Sequence, residues 1–218
     1  MKPLVKLMLV LATAFAMTFV IARLTGVLSV EQVESWLTLA QQADSQYVML
    51  LVFGLLFIDL FIAVPTLTIM ILSGYFLGHQ MAMIAAISGV MSAGIVGYLL
   101  SYRYGEKLER LIIRDEQQRQ SLGAQFNQYG MVMILLSRAM PILPEVTACL
   151  SGISKMPFTK FLLAWTLSSV PYIAIATYAG SISTLQNPKP AILTAVALSV
   201  FFWSCWFVFQ RISKRQSA

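Results

Sequence analysis

Residues 131–160 read MVMILLSRAMPILPEVTACLSGISKMPFTK, and the reading of this stretch decides the fold. It is apolar enough to enter a bilayer, yet Arg138, Pro141, Pro144 and Glu145 interrupt it. A spanning helix needs about 20 apolar residues at about 1.5 Å of rise each. Proline removes a backbone donor and clashes with the preceding turn. In hydrocarbon, the freed carbonyls must line a cavity or be paired within the protein. The pattern therefore predicts a helix that enters the membrane, breaks and turns back.

A second segment has the same character. Tyr47 to Val64 is apolar, is broken by Asp59 and stops at Pro65. Pro65 to Gly78 is apolar again, but too short to cross comfortably. The two segments echo each other. Pro65-Thr66-Leu67-Thr68 runs on to Leu72-Ser73-Gly74, and Pro144-Glu145-Val146-Thr147 runs on to Leu150-Ser151-Gly152. Each copy is followed by a long apolar span.

The composition of the whole chain agrees. Of 218 residues, 58% are hydrophobic and 11% charged, and the mean hydropathy is +0.77. Soluble domains carry about 25% charged residues. A disordered chain, a disulfide scaffold and a soluble enzyme are excluded on this ground. Full spans are expected at Leu4 to Leu24, Met81 to Tyr102, Phe158 to Ile182 and Ala191 to Phe209. The first follows Lys2 and Lys6 as in a signal peptide, but has no convincing small-x-small cleavage site and reads as an uncleaved helix. Ser29 to Asp44 reads as an amphipathic surface helix, with Val33, Trp36, Leu37 and Ala40 on one face. Gly105 to Gln128 is polar with a partial apolar stripe and reads as an interfacial helix. The chain divides into an N-terminal span and surface helix (1–46), a core with both broken segments (47–183), and a C-terminal span with a basic tail (184–218).

The charge tests the topology. The net charge is +6, with 15 Lys and Arg. If both broken segments return to their side of entry, one face receives Lys2, Lys6, Arg103, Lys107, Arg110, Arg114, Arg119, Lys155, Lys160, Arg211, Lys214 and Arg215. The other receives only Arg23 and Lys189, and Arg138 stays in the membrane. Lys and Arg gather in cytoplasmic loops, so the richer face is the cytoplasmic one. The expected fold class is all-α: a polytopic integral membrane protein with two opposed re-entrant helical hairpins, inverted-repeat-like, plus flanking transmembrane helices.

Arg138-Ala139-Met140-Pro141-Ile142-Leu143-Pro144, then Gly152, then Lys155-Met156-Pro157-Phe158-Thr159-Lys160-Phe161-Leu162, resembles the DedA/VTT superfamily of membrane proteins (SNARE-associated Golgi protein-like). So does Pro65 to Gly78, with Gly94, Gly97 and Arg103-Tyr104-Gly105 closing the next helix. The resemblance covers Tyr47 to Ile182. It implies opposed re-entrant hairpins, a bacterial inner-membrane or eukaryotic endomembrane location, and movement of lipids across the bilayer, proton-coupled in some members. Where the bacterial branch carries a second arginine, this chain has Pro144. Where that branch often has an acid after the first hairpin's proline, it has Leu67.

Three charges do not fit the loops: Asp59, Arg138 and Glu145. An arginine at membrane depth costs about 2.5–3.5 kcal/mol on insertion scales. Its planar fork suits phosphate, so Arg138 either binds an anion or pairs with Glu145 or Asp59. Glu145 either caps a short helix or answers Arg138. Asp59 is either functional or a partner for that arginine. Pro65, Pro141 and Pro144 break the helices, and Thr68 and Thr147 offer hydroxyls to a polar path or bond back to their own helices. These eight residues form the expected substrate site. Gly89, Ala93 and Gly97 make a small-residue series suited to helix packing. His79 reads as interfacial, and Trp165, Trp203 and Trp206 as belt or packing residues.

No Walker loop, no metal-ligand spacing and no Ser/His/Asp set is present in the sequence. No catalytic residue, metal or cofactor is therefore expected. The expected activity is transbilayer movement of a phosphate-bearing lipid, with a phospholipid or polyprenyl-phosphate lipid as partner and protons as an optional one. Nucleic acid is not an expected partner, and oligomer formation is left open. The expected location is a bacterial inner membrane with both termini cytoplasmic. The competing readings are a proton-coupled transporter of ions or small solutes and a non-transporting membrane scaffold.

Overall fold

The computed structural model describes residues 2–24, 35–36, 44–62, 64–113, 116–140, 142–184, 187 and 189–216. Its elements are α1 (Lys2–Leu24), α2 (Ser45–Ile58), α3 (Thr66–Ile112), α4 (Glu116–Leu136), a 3-10 turn (Ser137–Ala139), α5 (Leu143–Ile153), α6 (Phe158–Ser181) and α7 (Lys189–Gln216). The surface helix expected at Ser29 to Asp44 lies almost wholly outside the described residues, as does Pro141. Three stretches are long and apolar enough to cross a membrane among the described residues: Thr66–Lys107, Phe158–Ser181 and Lys189–Phe207. The protein is an all-helical chain suited to a bilayer.

Both expected breaks are present. α2 has 14 residues, about 21 Å of helix. It stops before Asp59, whose Oδ1 accepts a hydrogen bond from the Val64 N–H at 2.9 Å and so closes the following loop. Pro65 then stands at the N-cap of α3. The second break follows α4. Ser137 Oγ donates to Ile134 O at 2.7 Å, the 3-10 turn carries Arg138, and Ile142 sits at φ 76° before α5 begins. A β-branched residue rarely adopts that left-handed conformation, so the turn is strained there.

α3 departs from expectation twice. At Gly78 the backbone takes φ 74° and ψ 166°, which splits the helix into a short arm (66–77) and a long arm (79–112). Only glycine enters that region readily. At its other end, the long arm continues to Ile112, and a new helix starts at Glu116. The single interfacial helix expected over Gly105 to Gln128 is therefore corrected to two pieces. Residues 106–111 are strong helix formers, Arg110 pairs with Glu106 one turn away at 2.5 Å, and Gly105 packs against Ile153. Nothing stops the helix until Ile113 turns extended.

The long arm, about 50 Å by its rise, is the reference axis of the fold. Phe53 and Leu56 of α2 lie against Gly89, and Leu60 lies against Gly97, so α2 runs in the same direction as the long arm. α5 does too: Ala148 meets Gly97, Gly152 meets Tyr98 and Tyr102, and Ile153 meets Gly105. α6 runs in the opposite direction. Its Phe161 stacks on Tyr98 at 4.7 Å, Trp165 donates to Val90 O at 3.2 Å, and Thr177 meets His79 at 3.1 Å. The end of α2 and the first turns of α5 thus converge at one level, near the middle of the long arm. The small-residue series Gly89, Ala93 and Gly97 is what lets them approach.

The sequence echo has a structural counterpart. A Cβ at Gly74 would lie 2.1 Å from Thr177 O, and one at Gly152 would lie 2.3 Å from Tyr98 O. Each Leu-Ser-Gly therefore places a bare backbone against the backbone of a neighbouring helix.

Candidate functional site

Arg138 projects from the second break. Its Nη2 donates to Ser169 Oγ at 2.9 Å. The guanidinium lies 5.5 Å from the ring centre of Trp165 and 5.4 Å from that of Tyr172. Both rings are buried. Arginine over an aromatic face is held by the ring quadrupole, and the attraction grows where water is excluded. Trp165, Ser169 and Tyr172 recur at helical spacing on α6 and present one shelf to the cation. In the sequence Trp165 reads as a belt or packing residue, and nothing there singles out Ser169 or Tyr172. Their spacing carried the signal, but only a partner on another helix gives it meaning.

No carboxylate oxygen lies within 4.0 Å of Arg138 among the described residues, and its Nε is buried without a hydrogen-bond partner. The ion pair with Glu145 or Asp59, the alternative to anion binding in the sequence, is not formed at contact distance. The three charged residues are nonetheless brought together. All of them line an inner space of about 20 Å³, also lined by Leu60, Ala93, Gly94 and Trp165. That is space for about one water. All of them also line an outer cavity of about 500 Å³.

Asp59 is buried, and it lines both cavities together with Glu145. Glu145 lies in the first turn of α5, yet its Oε2 is buried without a partner. The outer cavity is also walled by Pro65, Thr68 and Pro144 from the expected site, and by Ser199 and Trp203 of α7. Thr147 lines neither cavity; its hydroxyl is buried and donates to Pro144 O at 2.9 Å. His79 is half-buried, beside Thr177 and edge-on to Tyr178.

The arrangement is one cation, two carboxyls and an aromatic shelf around a cavity at the meeting point of two broken elements. Non-helical backbone in an apolar chain of this kind is tolerated where it lines a cavity or is buried in protein. A family model for the VTT domain matches residues 64–182, more than half of the chain, and the chain belongs to that family. The match begins after Asp59 and takes in Arg138, Glu145 and the aromatic shelf. No curated protein and no solved structure matches the chain.

Proposed function

We propose that the protein moves a phosphate-bearing lipid across the bilayer, with Arg138 receiving the headgroup. The observation that carries this reading is the state of Arg138. The guanidinium is oriented by Ser169, Trp165 and Tyr172, keeps a buried donor unused, and opens on a cavity of about 500 Å³. An arginine already neutralised by a carboxylate offers less to a phosphate. One held by neutral groups keeps its charge and fork available.

In this reading α2 with the short arm of α3, and α4 with α5, are two re-entrant hairpins that enter from opposite faces. The shortness of α2, the short arm and α5, and the convergence of α2 and α5 at the middle of the long arm, support this. The charge distribution supports cytoplasmic termini, and a bacterial inner membrane fits the resemblance of the motifs. The headgroup slides past Arg138, with Asp59 and Glu145 lining the same cavity. A phospholipid or a polyprenyl phosphate satisfies this chemistry, and proton exchange at the carboxyl pair is compatible with it. A scaffold role is disfavoured, because it needs Arg138 to be an ion-pair strut.

Reconstitution into vesicles with headgroup-fluorescent lipids and a leaflet-selective quencher tests the proposal. Faster loss of inner-leaflet fluorescence than in empty vesicles is the expected result. No acceleration across several phospholipids and a polyprenyl phosphate rejects it. Proton-coupled uptake of a soluble ion by the same vesicles, without lipid movement, transfers the site to the antiporter reading.

A further inference from the structure

A second large cavity lies beside the first. It measures about 570 Å³ and runs between α6 and α7, over the end of α4. Leu135, Leu167, Ile175, Leu198 and Phe201 make its surface, so its lining is apolar. Leu167, Ile175 and Phe201 are exposed to the surroundings, while Leu198 is buried at its floor. Tyr172 lines this groove and the polar cavity alike. On one side its ring carries the Arg138 guanidinium, and on the other Phe202 meets it edge-on at 5.9 Å. α7 likewise serves both spaces. Ser199 and Trp203 face the polar cavity, and Leu198 and Phe201 face the groove.

We propose that this groove is a binding site for one hydrocarbon chain of the lipid whose phosphate reaches Arg138. The proposal rests on the headgroup reading above and adds a second site to it. Continuity carries the argument. A lipid is a charged group joined to an apolar chain, and here a charged cavity and an apolar groove share one wall. The groove is of the size of typical ligand sites, and its few hydroxyl residues, Ser168, Tyr172 and Thr194, are outweighed by apolar side chains. Its outer edge is open, so a chain enters sideways from the membrane. The tail is therefore guided by the protein during headgroup passage. The cover over this path is light: only 6% of the most apolar window of α7 is buried within the protein. Pro171 of α6, whose ring nitrogen has no N–H to donate to the carbonyl one turn back, lies along the same groove.

The test uses full-length protein in vesicles with a phospholipid bearing a diazirine in one acyl chain. After irradiation, labelled positions are mapped by mass spectrometry. The expected result is an excess of label on residues 167–175 and 194–202, lost in Ala197→Trp, an exposed position where added bulk fills the groove without disturbing the core. Thr194→Trp, at the groove's upper edge, is the second variant. Label spread evenly over lipid-facing residues such as Ile84, Leu99 and Leu163 overturns the proposal. Lipid movement is measured on the same vesicles. Movement with even labelling removes the tail site and leaves the headgroup reading standing. Localised labelling without movement removes the headgroup reading and leaves the tail site.

Discussion

Arg138 and Glu145 line the same two cavities, yet no guanidinium nitrogen comes within 4.0 Å of a Glu145 oxygen, and each keeps one buried atom, Nε and Oε2, without a partner. On the proposed reading, this donor and acceptor, held apart across space for about one water, stay available to a headgroup. A closed ion pair has nothing to offer a substrate. This relationship separates the transport readings from the scaffold reading.

Exchanging the charges is the direct probe. In the double variant Arg138→Glu with Glu145→Arg, a strut is restored but the phosphate site is moved off its aromatic shelf. We expect lipid movement to stay lost in the double variant, as in Arg138→Ala. Arg138→Lys keeps the charge and loses the fork, and forfeits about 1.5–3 kcal/mol of charge-assisted bonding, a rate loss of about 10- to 100-fold. Initial rates of fluorescence quenching in vesicles give these numbers. Recovery in the double variant rejects the headgroup assignment.

Asp59 has two separable roles. Its Oδ1 accepts the Val64 N–H and so holds the first break, and the residue lines both cavities together with Glu145. Asn keeps an acceptor at the same place, whereas Ala does not. Thermal unfolding in detergent should leave Asp59→Asn within about 0.5 kcal/mol of the parent, and lower Asp59→Ala by about 1 kcal/mol or more. If the charge takes part in headgroup passage, both variants lose lipid movement. A stable, fully active Asp59→Asn confines this residue to the loop.

The sequence already pointed to the charged centre, because charges and prolines in apolar runs are physically conspicuous. Pro65, Pro144, Asp59, Arg138 and Glu145 all come to one place. What stayed hidden depends on relations between distant residues. Trp165, Ser169 and Tyr172 are ordinary on an apolar helix until Arg138 is placed above them. The long arm's extension to Ile112 was masked by its polarity, because helix propensity and the close contact of Gly105 with Ile153 outweigh the expected membrane boundary. Gly78 reads in the sequence as the end of a segment, and in the structure it is a break between two arms of one element. Its glycine identity is needed for conformation and not for space.

That last distinction is measurable. Nothing lies within 4 Å of where a Gly78 Cβ would stand, yet φ is 74° and ψ 166°. Gly78→Ala therefore has room and no comfortable conformation. We expect a loss of about 1–3 kcal/mol in unfolding free energy. At Gly74 and Gly152 the cause is reversed: φ is ordinary, but an added methyl meets a backbone carbonyl. Gly74→Ser and Gly152→Ser should then be worse than the corresponding Ala variants, because the longer side chain needs more separation of the helices. For Gly78 the two substitutions should cost about the same. Melting of the six variants separates a conformational from a steric requirement.

The re-entrant reading makes a claim about sides. Phe53 is level with Gly89 and the helices run the same way, so Asp44 at the start of α2 is level with Gln80 at the start of the long arm. The short arm, about 18 Å long, returns the chain between them without crossing a bilayer. In the second hairpin, Glu116 at the start of α4 and Thr159 at the start of α6 should share the opposite side. Asp44, Gln80 and Glu116 are exposed, as is Thr159, so a cysteine at each is open to reagent. With Cys149 and Cys205 replaced, an impermeant maleimide added to sealed cells should label Asp44→Cys and Gln80→Cys. It should reach Glu116→Cys and Thr159→Cys only after the membrane is opened. Labelling of Asp44→Cys and Gln80→Cys from different sides makes α2 and the short arm a crossing pair. The charge distribution then loses its explanation, because every basic loop beyond Gln80 changes face.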